Sequence, residues 1–331
     1  MNGSARLGVY GALVLLCLVL FVAALCVGPV PLSPFDLPHL LYARDTEALG
    51  LIIYEIRLPR AVLATLVGAS LGLSGAALQG LTRNPLAEPG IIGISGCAAL
   101  CAVIAFYTGF AALNIWTLPA AGMLGALGAV AGLYLLAGSR ARIVTLILAG
   151  VALNSLAGAL TTLVLNLTPN PFAAYEIFFW LMGSLANRSF DHVWMVLPFV
   201  SLGGVLLLAS GRGLDALSLG DDVALSLGVD LRRLRAYVIV GSALAVGSVV
   251  AVSGVIGFVG LVVPHILRPL VHHRPGALLG ISALGGAALT LAADLGTRFA
   301  LSNGELRLGV VTALIGAPFF MHLVVRNRSP R

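Results

Sequence analysis

Few residues in the chain have reactive side chains, and their spacing limits what they can do. Cys97 and Cys101 lie four apart on one helix face, but no histidine or carboxylate flanks them, so no metal or redox centre is read there. Gly93-Ile94-Ser95-Gly96 sets a serine between glycines inside an apolar run, with His265 or His322 as a conceivable base for hydrolysis within a membrane. The same string recurs as Gly72-Leu73-Ser74-Gly75, the product of a small-residue packing face, so no catalytic residue is assigned. All 19 basic residues are arginine. Without lysine there is no P-loop to hold phosphates and no Schiff base, so the chain is read as non-enzymatic and binding no cofactor of its own. If it pumps anything, the energy comes from a partner.

The elements that position these residues follow from composition. Of 331 residues, 59% are hydrophobic and 10% charged, with 40 glycines. A bilayer core needs roughly 20 apolar residues per helical crossing. The uncharged runs are 7–27, 61–82, 89–139, 143–175, 192–211, 236–267, 275–293 and 308–325. The run 89–139 holds two helices, with a turn near Thr108, Gly109 and Asn114. In 143–175 a long helix meets a proline turn at 168–171, and an interfacial segment follows at 178–185. Ser253, Gly254, Gly257 and Gly260 break 236–267 into one full and one short helix. The expectation is an all-α, polytopic membrane protein of about ten transmembrane helices, a single domain over 1–331.

The formal charge of +6 reads as topology and not as nucleic-acid binding, because the arginines are scattered between apolar runs. Thirteen of them, including Arg6, Arg83, Arg140, Arg142, Arg212, Arg232, Arg233, Arg235, Arg268, Arg274, Arg326, Arg328 and Arg331, fall on one face. That face is cytoplasmic by the positive-inside rule, with both termini on it. Arg44, Arg57, Arg60, Arg188, Arg298 and Arg307 are then external. An internal repeat pairs Gly68 and Ser74-Gly75 with Gly247 and Ser253-Gly254, and Gly93-Ile94-Ser95 with Gly280-Ile281-Ser282. If the halves are helices 2–5 and 7–10, they start on opposite sides of the membrane and form an inverted repeat.

Two polar segments interrupt the pattern. Arg83-Asn84-Pro85-Leu86-Ala87-Glu88-Pro89-Gly90 breaks the backbone at a cytoplasmic span end, and broken backbone at membrane depth is tolerated mainly where it lines a cavity, so it reads as a gate. The stretch 217–229 reads as two short helices separated by glycine, offering Gly220, Ala224 and Gly228 for close approach and leucines for a groove on a soluble partner.

Together with Arg57-Leu58-Pro59-Arg60, 148–153, Gly257-Phe258-Val259-Gly260-Leu261, Pro264-His265-Ile266-Leu267-Arg268, 305–312 and Gly316-Ala317-Pro318, these pieces make the chain resemble the FecCD family of ABC importer permeases along nearly its whole length. The resemblance implies a type II importer fold in the bacterial inner membrane. It also implies a homodimer, two cytoplasmic ATPases that bind ATP, and a periplasmic or lipid-anchored substrate-binding protein. By the same likeness Asn84, Pro85 and Leu86 match the cytoplasmic gate. Leu219, Gly220, Ala224, Leu227 and Gly228, within a coupling segment at 214–235, match the ATPase contact, and Arg57, Arg60 and Arg298 match docking of the binding protein. Ile143 stands where a second gate carries threonine, which leaves that gate open. The expected cargo is a ferric siderophore or haem, with a corrinoid as the alternative and a carrier acting alone as the rival class.

Overall fold

The computed structural model describes residues 3–42, 48–138, 143–299 and 306–326. Arg44, Arg140, Arg142, Glu305, Arg328 and Arg331, on which parts of the expected topology and signature rest, lie outside them. The described residues are helical, joined by turns. The helices are α1 (Gly3–Cys26), α2 (Leu37–Tyr42), α3 (Ala48–Leu51), α4 (Leu58–Thr82), α5 (Ile94–Tyr107), α6 (Thr117–Ala137), α7 (Ile143–Leu167), α8 (Pro171–Leu181), α9 (Phe190–Ala209), α10 (Gly211–Leu217), α11 (Asp221–Ser226), α12 (Leu231–Ser253), α13 (Val259–Leu267), α14 (Pro275–Phe299) and α15 (Leu308–Arg326). Seven are long and apolar enough to cross a membrane, and the shorter apolar α5, α13 and α15 bring the described total to ten.

Local chemistry explains the breaks. Pro59 has no N–H to return to Glu55, and the turn Ile52–Arg57 before it widens to a π-helix whose last bond runs from Leu58 N–H to Ile53 O. Gly254, at φ 73°, ends α12, and after the non-helical residues 255–258 α13 begins. The interfacial helix starts earlier than expected. Asn170 caps it by accepting from Phe172 N–H at 2.9 Å, with Pro171 in its first turn, so α8 covers 171–181 and the chain from Met182 is coil.

The core is built by α4 and α12, which are buried along most of their length. Small residues let backbones touch. A Cβ on Gly68 or Gly72 of α4 would collide with the carbonyls of Gly286 and Ser282 on α14, and one on Gly75 with Gly260 of α13. The repeat is visible in these contacts: α4 packs on α14 and α13, and its counterpart α12 packs on α6 and α5. Gly247 meets Ala126 as Gly68 meets Gly286. The second sequence match is corrected, because Gly93 precedes α5 whereas Gly280 lies inside α14, the counterpart of α6. It is a coincidence of Gly-rich composition.

Candidate functional site

The segment 83–90, expected from its sequence to form a gate, turns back into the bundle. Arg83, at φ 51°, ends α4 in the left-handed region. Asn84 Oδ1 then accepts from Leu86 N–H at 2.9 Å, and Ala87 N–H donates to Asn84 O at 3.2 Å. Pro85 and Leu86 are left exposed, and Ala87 and Pro89 are buried. The far half leans on α13: Glu88 accepts from Phe258 N–H, and Pro89 Cδ lies 3.2 Å from where a Cβ on Gly260 would sit. Phe258 itself holds φ 68°, unusual for a bulky residue. The break between α4 and α5 thus meets the break between α12 and α13.

Gln79, which no sequence motif singles out, joins α4 to α13 beside these breaks. It is buried, donates from Nε2 to Gly260 O at 3.3 Å and Leu261 O at 3.4 Å, and accepts from Arg268 through Oε1. A buried amide in an apolar helix was the available signal. Ile143 borders a small apolar gap with Leu81, Thr82, Ile92 and Leu133, beside the gate loop.

The coupling stretch does form two short helices, shifted toward the N-terminus, as α10 and α11. Gly220 and Gly228 hold φ 114° and 80° with nothing near a would-be Cβ, so they shape the turns at either end of α11. Leu219, Val223, Leu225 and Leu227 are exposed, an apolar patch on the end of the molecule that carries the gate loop. Ala224 is corrected: it is fully buried and faces its own chain. Two ion pairs tie this stretch to the bundle, Arg83 to Asp221 at 2.7 Å and Arg274 to Asp215 at 2.9 Å, and Asp215 also accepts from Gly276 N–H at 2.7 Å.

At the opposite end, Arg57, Arg60 and Arg298 come together as expected, but not as free surface cations. Arg57 is buried and donates to Leu25 O at 2.7 Å, Cys26 O at 3.0 Å and Val30 O. Arg60 bonds Asp294 at 3.0 and 3.1 Å and Thr297 at 3.3 Å. Arg298 bonds Asp294 at 2.7 Å and the carbonyls of Ala24 and Val27 at 2.7 and 2.8 Å. Arg57 and Arg298 cap the C-terminal end of α1, where the helix dipole is negative, and Asp294 compensates Arg60 and Arg298. The three lie at the outer end, as the topology expects, but a buried carboxylate and a carbonyl cluster within the chain hold them. Among the described residues, no group of three or more His, Cys, Asp and Glu is placed to hold a metal ion.

Comparison with known proteins places this geometry. The FecCD transport family matches residues 16–326. The vitamin B12 import system permease protein BtuC of Vibrio cholerae is 42% identical over 313 residues, covering 93% of this chain and 91% of that protein. The iron(3+)-hydroxamate import system permease protein FhuG of Bacillus subtilis is 32% identical over 319 residues, covering 94% of this chain and 95% of that one. A solved structure described as an inward-facing conformation of an ABC transporter assigned to the metal-chelate type matches with a TM-score of 0.85 and 34% identity, covering 96% of this chain and 98% of that chain. The chain belongs to the FecCD transport family, and it is a polytopic permease, the transport-subunit class of that family.

Proposed function

For this member of the FecCD transport family, we propose the role of permease subunit in an ATP-driven importer of a ferric siderophore or haem across the bacterial inner membrane. The observation that carries the mechanism is the Arg83–Asp221 pair, which joins α11, beside exposed leucines, to the residue before the gate. Two permease copies enclose the path. Two cytoplasmic ATPases bind the patch at Leu219, Val223, Leu225 and Leu227 from the side on which both termini lie, and a loaded binding protein docks on the opposite end. ATP-driven closure of the ATPases shifts α10 and α11, and Arg83 passes that shift to Asn84, Pro85 and Leu86. The outer arginines hold α1, α4 and α14 together, so docking acts on these helices as a unit.

Cobalamin is the second reading, favoured by the 42% identity to BtuC of Vibrio cholerae. The test is uptake of labelled cobalamin, haem and ferric siderophores into cells carrying or lacking this chain, with and without ATP depletion. Chain-dependent entry that stops on ATP depletion is expected; entry that survives it returns the function to a carrier acting alone.

A further inference from the structure

Of the six outer arginines, Arg44 lies outside the described residues, and Arg57, Arg60 and Arg298 are held by Asp294, Thr297 and backbone carbonyls. Two remain. Arg188 lies in the turn between α8 and α9, and its Nε is buried with no hydrogen-bond partner among the described residues. Its nearest carboxylates in sequence are engaged elsewhere or exposed: Asp191 accepts from Ser189 Oγ at 3.4 Å, and Glu176 lies on the open face of α8. Arg307 stands just before α15, its guanidinium 5.1 Å from the centre of the Phe179 ring.

The frame that holds these two side chains is rigid. Gly309 N–H donates to Gly183 O at 3.4 Å, and Gly309 packs so closely on Met182 and Val255 that no Cβ fits. Ser184 N–H donates to Ser253 O at 2.7 Å. The start of α15, the turn after α8 and the break after α12 are therefore one unit. Burial and the nearby Arg307 charge both push the Arg188 pKa below its ordinary value. Among the described residues these two cations, brought together in part-buried surroundings and one with an orphaned donor, have no carboxylate partner. Beside them α8 exposes Tyr175, Phe178 and Phe179, flat apolar surface next to the charge.

We propose that Arg188 and Arg307 form an anion subsite at the outer mouth of the path, which selects a net-negative metal chelate whose carboxylate or catecholate oxygens sit beside aromatic or flat apolar surface. The inference rests on the permease reading and narrows its substrate class. It disfavours a neutral ferric tris-hydroxamate, which offers the guanidinium groups no free anion; cobalamin, whose net charge is zero, offers them only its one phosphodiester.

The test uses the whole importer reconstituted in liposomes with its ATPase and binding protein. Initial uptake is measured for a trianionic ferric tris-catecholate, a neutral ferric tris-hydroxamate and cyanocobalamin. The variants are Arg188→Gln with Arg307→Gln, and Arg188→Lys with Arg307→Lys. We expect the glutamine pair to slow the anionic chelate by about tenfold relative to any neutral chelate that is carried, with partial recovery in the lysine pair, since the contact is charge-assisted. Equal slowing of every chelate by the glutamine pair, with no recovery by lysine, means a structural role and overturns the proposal. Wild-type uptake of a neutral chelate but not the anionic one overturns it while leaving the permease reading intact. Absence of ATP-dependent uptake of all three and of haem, assayed alongside them, overturns both.

Discussion

Arg60 Nε lies 3.0 Å from the Asp294 carboxylate, joining α4 to α14 across 234 positions of sequence, with both side chains almost wholly buried. The same carboxylate takes Arg298 at 2.7 Å, so a single acidic group neutralises two cations at the outer end of the bundle. Removing it leaves charge buried without a partner, which costs far more than an exposed pair is worth. The Asp294→Asn variant is expected to lose about 3–5 kcal/mol of stability. Thermal unfolding of the detergent-purified permease measures it; an unchanged midpoint would show that the carbonyls of α1 suffice.

The Arg83–Asp221 pair is half exposed, so its stability contribution is small, about 0.2–1 kcal/mol. Its expected importance is mechanical. Reversing Asp221 to Arg should lower substrate moved per ATP hydrolysed with little change in melting, and adding Arg83→Asp should restore the ratio. A double swap no better than the single variant would count against the linkage.

Gly220 and Gly228 adopt φ values that side chains rarely take, and space around each is open. Tryptophan at either position distorts the turns flanking α11 and crowds the patch offered to the ATPase, at a strain of about 1–3 kcal/mol. ATP hydrolysis should then proceed without transport while the bundle stays folded. Co-purification and coupling ratio read this out, and normal coupling in both variants would sink the docking assignment.

Packing predicts a contrast between two glycines. Gly75→Leu drives a side chain into the Gly260 backbone at the α4–α13 contact, whereas Gly128 on α6 has nothing within 4 Å. The first should reduce folded yield sharply, exceeding the usual overpacking cost of about 1–3 kcal/mol because backbone cannot yield. Gly128→Leu should be tolerated by the isolated permease, as followed by size-exclusion profile and melting temperature.

Much of this was legible in one sequence. Apolar runs placed all ten helices, and glycines at 254 and 257 marked the break before α13, because a helix in lipid satisfies its backbone internally and leaves its length written in hydropathy. The helix break at 83–90 was legible for the converse reason, since prolines and asparagine between two spans cannot continue a helix. The short helices of 37–57 were missed because their polar and apolar residues carry no clear period, and the π-turn there follows from Pro59 acting on its neighbours. The repeat was half right: spacing alone matched Gly93 with Gly280 as readily as Gly68 with Gly247.

What the chain alone determined, then, is how many helices cross, where they break and which face is basic, all set by local composition against the solvent. Partnership was decided only by the fold. Charge type told of three arginines at one end, but whether each met solvent or Asp294 depended on helices more than 200 residues apart. Ala224 turned inward, Gln79 bridged α4 and α13, and the Arg188 Nε was left without a hydrogen-bond partner among the described residues for the same reason. A side chain's partner is fixed by which helices pack together, and that packing is chosen by the whole set of close glycine contacts, not by any residue's own neighbours in sequence.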